Sequence, residues 1–383
     1  MGNESGWRAA FSALLIAGLL AGDTAGRALR DAGPADVRRI GELTSRWHLR
    51  YAAEPAAAGA THRVVPLAGN QAWLFVTAEG RPGTSLLHWN TSGWNPAGSL
   101  PGQLKKAGYI DVSASPSGDA VLVINHVPGE QGGSAEHLWQ FSGGRWTRHR
   151  PRHLDWTGDF AVVGRNDVWL TQGGGPEGPP ADMVHWDGTA LRRKTPPEAT
   201  DLVAVAAARP DDVWVVDDRG WPRTLHWNGE RWRVTPLPCT PAIARRDCHG
   251  RPFLGRLSGL AAGLGNDAWA VGPGWADGAR PVVLHWNGAA WNQVRLDVGH
   301  HTGLAAVRTD SVGGVWIAAN PANGTPYVLN LRNGEWARSA LPPRSGPPAR
   351  IVDIAPAPGT THLWVHAQHG DGPGKTSLVY ELQ

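Results

Sequence analysis

The sequence predicts an all-β fold, a seven-bladed β-propeller with four antiparallel strands in each blade. Composition is the first observation behind this prediction: the 383 residues include 21 Trp, 50 Gly and 31 Pro, but only 5 Phe and 4 Tyr. Abundant Gly and Pro indicate many turns and few helices. Tryptophan that is enriched without the other aromatic residues indicates one motif copied several times.

The repeated motif is the second observation. It reads [Asn/Asp]-Asp-x-Trp, followed further along by Leu-His-Trp-Asn-Gly-x-x-Trp, and its best copies span 211–232 and 266–291. The first Trp of the motif defines an anchor position, which is occupied in turn by Trp73, Val121, Trp169, Trp214, Trp269, Trp316 and Trp364. Successive anchors are 48, 48, 45, 55, 47 and 48 residues apart. A period in the high forties is typical of propeller blades.

Each repeat divides into four short strands. The first is apolar, the second alternates so that Asp212, Trp214 and Val216 share one face, the third ends in Leu-His-Trp, and the fourth begins at the last Trp. An Asn-Gly or Asp-Gly pair, such as Asn228-Gly229, separates the third and fourth strands. Such pairs favour a two-residue type I′ turn with two positive φ values, which we expect here.

Closure of the ring is the third observation. The seventh repeat ends at Gln383 without a fourth strand, whereas residues 45–55 match the fourth strands of other repeats, with Trp47 in the place of Trp232. We therefore expect the N-terminal strand to complete the last blade, which removes the exposed edges of an open array. The propeller is assigned to residues 45–383, and residues 27–44 are assigned to an N-terminal linker.

The N-terminus predicts export. An apolar run at 9–22 followed by small residues is typical of a signal peptide, assigned to residues 1–26, although a buried helix is the alternative. The mature protein is then expected to be a secreted monomer without stable membrane insertion, with association to the cell surface possible. Cys239 and Cys248 would form a disulfide in that oxidising compartment, and two free thiols are the alternative. A net charge of +3, with no Lys/Arg run as long as the five to eight residues of a nucleic-acid patch, argues against nucleic acid as a partner.

These repeats resemble those of the kelch and galactose-oxidase-like β-propellers, especially exported bacterial ones, and the Trp-Asn-Gly-x-x-Trp turn resembles the Asp-box hairpins of sialidase-like propellers. The resemblance covers roughly residues 45–383 and implies the architecture. It implies no activity, because propellers carry many unrelated functions. Galactose oxidase needs copper ligands and a cross-linked Cys–Tyr pair, which this sequence does not match, and no cofactor is expected.

The recurring histidines are the residues in the sequence that most resemble catalytic candidates. They are His88, His185, His226 and His285. A residue that recurs at one position of four blades is placed by the blade, so we expect it to bind the Asp of the second strand, a device similar to that of WD repeats. Structural packing is also expected for the anchor tryptophans. His300-His301 lacks a third ligand with recognisable spacing, and no phosphate loop or nucleophile elbow occurs, so no catalytic or metal-binding residue is predicted.

The two ends of the propeller differ in sequence. One end, the short-turn end, carries the uniform turns between strands one and two and between strands three and four. The other, the variable-loop end, carries diverse loops with aromatic and basic residues outside the repeat register, of which we select Trp156, Trp221, Trp275, Arg150 and Arg152. Trp stacks on sugars and Arg pairs with carboxylates, so we expect a glycan or extracellular protein to bind there. The alternatives are that these Trp only hold their loops, or that the protein is a hydrolase or lyase with a site at the mouth of the central channel.

Overall fold

The computed structural model describes residues 38–53, 61–77, 83–98, 100–107, 109–128, 134–149, 157–172, 181–218, 222–238, 257–272, 281–345, 349–370 and 375–383. These residues form a ring of seven sheets, each of which is one blade, so the predicted seven-bladed propeller is confirmed. The first described strands are β1 (Ile40–Glu42) and β2 (Trp47–Ala52), which belong to the last two blades.

The first three blades each contain four antiparallel strands. Blade one comprises β3 (Thr61–Leu67), β4 (Gln71–Thr77), β5 (Thr84–Trp89) and β6 (Trp94–Pro96). A single helical turn, α1 (Gly102–Lys105), lies between blades one and two. Blade two comprises β7 (Tyr109–Ala114), β8 (Ala120–Pro128), β9 (Ser134–Ser142) and β10 (Arg145–His149). Blade three comprises β11 (Thr157–Gly164), β12 (Asp167–Gln172), β13 (Asp182–Trp186) and β14 (Leu191–Arg193).

The remaining blades repeat this order. Blade four comprises β15 (Leu202–Arg209), β16 (Asp212–Asp217), β17 (Arg223–Trp227) and β18 (Trp232–Thr235). Blade five comprises β19 (Gly259–Gly263), β20 (Asp267–Gly272), β21 (Val282–Trp286) and β22 (Trp291–Gln293). Blade six comprises β23 (Thr302–Thr309), β24 (Val315–Pro321), β25 (Tyr327–Arg332) and β26 (Glu335–Ala340). Blade seven comprises β27 (Ala349–Pro356), β28 (Leu363–His369) and β29 (Thr376–Leu382), with β2 as its fourth strand.

The first strand of each blade faces the centre of the ring. These inner strands contact one another in sequence around the ring, from β3 through β7, β11, β15, β19 and β23 to β27 and back to β3. Each inner strand follows a connection at the variable-loop end and leads into a short turn at the opposite end. Residues early in an inner strand therefore lie near the variable-loop end of the channel.

Blade seven is closed by the N-terminal strand, as predicted. β2 pairs antiparallel with β29, with Trp47 opposite Leu382. The Trp47 indole donates a hydrogen bond to Ser339 Oγ at 2.8 Å, and Arg50 forms an ion pair of 2.7 Å with the fully buried Glu381 carboxylate. The two distant parts of the chain are thus joined by backbone pairing, packing and a partly buried charge pair.

Residues 38–44, which the sequence analysis placed in a linker, belong to the folded ring. β1 pairs in parallel with β26 as a fifth strand on blade six, with Ile40 opposite Trp336, and Arg38 forms a single bridge to Leu296 on blade five. The outermost strand of a blade presents unpaired backbone groups, and the passing chain satisfies some of them. The N-terminal segment therefore runs along the outer edge of three consecutive blades.

The turns between third and fourth strands take two forms. Asn333 and Gly334 have φ values of 52° and 82° between directly paired strands, as expected for a type I′ turn. In blade four, only Gly229 has a positive φ, because Trp227 pairs with Trp232 and four residues form the loop. There the Asn228 side chain accepts hydrogen bonds from the two following loop N–H groups at 3.2 and 3.0 Å. The type I′ prediction is wrong for this blade, since the extra loop residues let the Asn side chain cap the turn. It is wrong in the same way for blades three and five, where Gly188 and Gly288 alone have a positive φ in four-residue loops.

The core lies between neighbouring blades and is built around tryptophan. Trp214 is fully buried and packs against Leu284, Trp286 and Trp291 of blade five. The anchor residues Trp169, Trp269, Trp316 and Trp364 are buried in the same way. Burial of such a side chain removes roughly 200 Å² of mainly apolar surface from water, so these residues dominate the packing of one blade on the next.

Candidate functional site

The recurring histidine forms a compact unit with the anchor tryptophan and an aspartate. In blade four the Asp212 carboxylate accepts a hydrogen bond from the Trp214 indole at 2.9 Å and lies 2.8 Å from His226 Nε2. The His226 ring stacks on Trp214 at 4.1 Å and 16°. Equivalent stacks occur in blades three and five, at 4.2 and 4.3 Å, between His185 and Trp169 and between His285 and Trp269. The hydrogen bond expected from the sequence is present for His226 and for His285, whose Nε2 lies 2.6 Å from Asp267. In blade three, His185 Nε2 lies 3.2 Å from an Asp167 oxygen without the geometry of a hydrogen bond.

Two blades fill the same position differently. In blade one, His88 Nε2 lies 3.0 Å from Gln71 Oε1, so an amide replaces the carboxylate. In blade six the equivalent Asp and His positions hold Gly314 and Asn330. There the Asp310 carboxylate, in the turn after β23, accepts the Trp316 indole N–H at 2.9 Å and pairs with Arg332 at 2.6 Å. Other polar side chains thus take the place of the His–Asp pair in blades one and six.

The inner strands enclose a central channel with a volume of about 710 Å³. Its charged lining residues are Arg63, Asp111, Asp159, Arg308, Asp310 and Asp353. No histidine lines the channel within the part of the chain that the structure describes. The lining therefore brings together carboxylates and guanidinium groups from five different blades.

Two ion pairs cross the seams between blades along this channel. Arg63 on blade one lies 3.5 Å from Asp111 on blade two, and Arg308 on blade six lies 2.9 Å from Asp353 on blade seven. Arg63 and Asp111 are each the third residue of an inner strand, near the variable-loop end. These pairs link neighbouring blades and largely neutralise two of the carboxylates in the channel.

Asp159 is the third carboxylate at this level, and a bulge in β11 positions it. The bulge lies opposite Thr171, whose hydroxyl accepts the Asp159 N–H at 2.8 Å. A Cβ at Gly158 would lie 2.8 Å from that hydroxyl, so glycine allows the backbone to approach β12. The Asp159 carboxylate accepts the N–H groups of Phe160 and of Val205 on blade four, both at 2.9 Å.

The electrostatic surroundings of Asp159 differ from those of a surface carboxylate. Burial between blades three and four raises the pKa of Asp159 to about 6, against the lowering effect of its two backbone hydrogen bonds. The Arg308 charge also lowers this pKa, and the Asp111 charge raises it. Asp159 forms no ion pair with any described residue, in contrast to the other two carboxylates at this level of the channel.

A second buried titratable group lies at the seam between blades seven and one. His366 on β28 lies 2.7 Å from Ser377 Oγ, and its ring centre is 6.1 Å from that of His62 on β3. Burial lowers the pKa of His366 to about 3, and the charges of His62, Arg63 and Lys375 act in the same direction. This imidazole is therefore neutral in the folded protein over the physiological pH range.

The residues predicted to bind a partner lie outside the described residues. These are Trp156, Trp221, Trp275, Arg150 and Arg152, and Cys239 and Cys248 lie outside them as well. In sequence, Trp156 directly precedes β11 and so lies three positions before Asp159. Near the same end, α1 and the residue after it present the exposed Lys105 and Lys106. Within the described ranges no three His, Cys, Asp or Glu side chains are grouped as metal ligands, and no helix is long and apolar enough to cross a membrane.

The channel residues escaped the sequence analysis because they lie outside the repeated motif and differ from blade to blade. One position of the inner strand lies two residues before the residue that pairs with the anchor. It is occupied by Arg63, Asp159 and Asp353 in blades one, three and seven. Blades four and six have Ala204 and Ala306 there. The sequence feature that could have identified them is a charged residue inside a first strand, since first strands such as 201–208 are mostly apolar.

Comparison with known proteins shows the fold and leaves the function open. No protein family and no curated protein sequence matches the chain. Among solved structures, "YCF48 bound to D1 peptide" aligns at a TM-score of 0.55 and 12% identity, over 89% of this chain and 97% of that chain. A chain of the "Mitotic Checkpoint Complex" aligns at 0.56 and 11%, over 91% and 94%. The BP39L lectin from Burkholderia pseudomallei aligns at 0.48 and 17%, over 74% and 84%. The alignments to the YCF48 and Mitotic Checkpoint Complex chains support the overall fold, and the sheets of this chain make it a seven-bladed β-propeller.

Proposed function

We propose that this propeller is a non-catalytic binding protein that recognises a protein or glycan through its variable-loop end. The observation that carries the proposal is that the recurring imidazoles are stacked on the anchor tryptophans inside their blades. His226 Nε2 is bonded to Asp212 and its ring is stacked on Trp214 inside the blade, and no histidine is among the described residues that line the channel. The side chains that differ from blade to blade are the ones left for recognition, and variable loops on a rigid ring commonly serve that purpose.

A polypeptide partner agrees with two structural neighbours whose TM-scores exceed 0.5. One is YCF48 with a D1 peptide, and the other belongs to a multiprotein complex. These likenesses concern the fold, so they support the capacity of such a ring to hold a polypeptide and do not identify the partner. A glycan remains within the proposal because Trp156, Trp221 and Trp275 provide flat apolar faces suited to sugar rings.

Export forms part of the proposal. It rests on the predicted signal peptide at residues 1–26, on the likeness to exported bacterial kelch-type propellers, and on the pair Cys239 and Cys248 in one connection. An extracellular partner, a disulfide and a monomeric mature protein follow from this setting.

A hydrolase or lyase is the second candidate function, and the channel carboxylates are the observation in its favour. Asp159, with a pKa of about 6, has the protonation behaviour of a general acid. Against this, Asp111 and Asp353 are paired with arginines, and the described channel lining contains no histidine. Binding without turnover therefore accounts for more of the observations.

Substitution of the loop tryptophans tests the binding proposal. Ligands are first identified with a glycan array and with peptides from the cell-surface fraction, and affinities are then measured by calorimetry. Trp221→Ala or Trp275→Ala is expected to weaken binding by about 2 kcal/mol, roughly thirtyfold, because stacking aromatics dominate such interfaces. Leu264→Ala is the matched control, since Leu264 is 69% exposed in a turn at the opposite end. Loss of binding or turnover in a folded His226→Ala protein, with the Trp variants unaffected, would instead favour the enzyme.

A further inference from the structure

The central channel carries a charge imbalance that its own residues do not resolve. Arg63 and Arg308 face three carboxylates at the same level, and two of these carboxylates hold the guanidinium groups. Asp159 has two backbone N–H donors at 2.9 Å and no cationic side chain among the described residues within ion-pair distance. Each oxygen of a carboxylate can accept more than one hydrogen bond, so Asp159 retains the capacity to accept a further donor.

An apolar side chain is exposed in the channel on the blade next to Asp159. Val203 lies in the bulge of β15 on the neighbouring blade and lines the channel with 40% of its surface exposed. It follows Leu202, whose carbonyl oxygen lies 3.7 Å from the position of a Cβ on Gly158, and it lies two positions before Val205, which donates to Asp159. The third blade therefore offers an anion and the fourth blade an apolar surface on the same stretch of channel.

We propose that the channel binds an aliphatic ammonium group, with its charge at Asp159 and its alkyl chain against Val203. The ammonium is favoured over a guanidinium because both Asp159 oxygens already accept a backbone N–H, whereas a guanidinium pairs best with two unoccupied oxygens in one plane. Two sources share this chemistry, a free alkylamine and a lysine side chain presented by a partner. The site does not depend on the loop tryptophans, so it can fail or succeed separately from the proposed binding function.

Protonation of Asp159 competes with the cation. The groups that face it are Asp111, Arg308 and, through their ion pairs, Arg63 and Asp353. Asp159 is ionised above its pKa of about 6 and neutral below it. A bound cation stabilises the ionised form, so binding strengthens as the pH rises from 5 to 7, and the ligand lowers the pKa of Asp159.

Backbone amide signals of the whole protein report on this site. The N–H groups of Phe160 and Val205 donate to the Asp159 carboxylate, so their NMR shifts follow both its protonation and its ligand. The probes are n-butylammonium, its neutral analogue n-butanol, and Nα-acetyl-lysine methylamide. We expect the two cations to shift both amides at pH 7 and butanol not to do so. Tighter binding of the lysine derivative favours a partner's lysine, and tighter binding of butylammonium favours a free amine.

Three variants decide whether Asp159 and Val203 form the site. Asp159→Asn is expected to weaken butylammonium binding by about tenfold, which removal of one ionic contact and its hydrogen bond produces. Val203→Thr, of the same shape, is expected to weaken it roughly threefold by loss of apolar contact. Asp187→Asn, in a turn of the same blade where other blades have Asn, removes the same charge outside the channel and should leave binding unchanged.

The proposal is overturned if the cations leave the Phe160 and Val205 signals in place, or if butanol shifts them equally. It is also overturned if Asp187→Asn weakens binding as much as Asp159→Asn does, since a general surface charge then explains the effect. Should Asp159→Asn fail to fold, the pH dependence of butylammonium binding to the unmodified protein decides, because binding that is equal at pH 5 and pH 7 excludes Asp159 as the anion.

Discussion

At the scale of single residues, the recurring histidine supplies a hydrogen-bond donor to the buried aspartate of the second strand. Asp212 is almost fully buried, and a buried carboxylate needs hydrogen-bond donors. The Trp214 indole and the His226 imidazole supply two of them, and the stacking of the two rings fixes their orientation. A catalytic residue type at a repeated position can therefore serve the packing of every blade that carries it.

Replacement of this histidine is expected to lower stability. His226→Ala leaves the Asp212 carboxylate with fewer donors and should reduce the free energy of unfolding by about 2 kcal/mol, measured by chemical denaturation. His88→Ala is the matched control at the same repeat position, because its partner Gln71 is exposed, and the expected loss is about 0.5 kcal/mol or less. Equal losses at the two positions would show that burial of the partner does not determine the effect.

His366 predicts a dependence of stability on pH. Its folded-state pKa of about 3 lies below the unfolded value near 6.5, so its contribution to stability is present above pH 6.5 and is lost as the pH falls towards 3. The expected loss between pH 6.5 and 5 is about 2 kcal/mol. Asp159, whose pKa is raised, contributes in the opposite direction over part of this range.

Comparison with His366→Gln isolates the contribution of the histidine, because Asp159 is the same in both proteins. The free energy of unfolding of the variant is expected to fall less than that of the unmodified protein between pH 7 and 5. Parallel pH profiles for the two proteins would show that His366 does not titrate in this way.

At the scale of strands and turns, the sequence predicted the elements that repeat. The Asp-x-Trp second strand, the Leu-His-Trp third strand and the closing strand at Trp47 all carry the motif, and all are present. β1 was missed because a three-residue strand with the sequence Ile-Gly-Glu carries no part of the repeated motif. Asp159 and Val203 were missed because bulges in their inner strands place them, and the sequence pattern does not mark such bulges.

The closing strand is expected to contribute more to stability than β1. Removal of residues 1–55 deletes β2 and exposes one full edge of β29, including the buried Leu378, Tyr380 and Leu382, so aggregation or a large loss of thermal stability is expected. Removal of residues 1–43 is the control, since it deletes the short pairing of β1 and the Arg38 bridge but leaves β2 on β29. Thermal melting and size-exclusion chromatography measure both. A protein beginning at Thr61 that melts like the full mature protein contradicts the closure.

At the scale of the whole molecule, the oxidation state of two cysteines tests the predicted compartment. Cys239 and Cys248 enclose a loop of about ten residues, for which the chain-entropy description gives about 3 kcal/mol of stabilisation. Thiol titration of the unfolded, unreduced protein purified from its native compartment is expected to find no free sulfhydryl. Two free thiols per chain would argue against both the disulfide and an oxidising location.

The pairing of β2 with β29 also sets the order in which the ring can assemble. Arg50 and its partner Glu381 are 331 residues apart, so the first strands to be synthesised wait for the last one. At ribosomal rates of roughly 5–20 residues per second, that delay is on the order of tens of seconds. Blades one to six can form from neighbouring segments during this time, whereas blade seven requires the most distant contact in the chain. The folding protein therefore passes through an open, incomplete ring, which closes only when β29 pairs with β2.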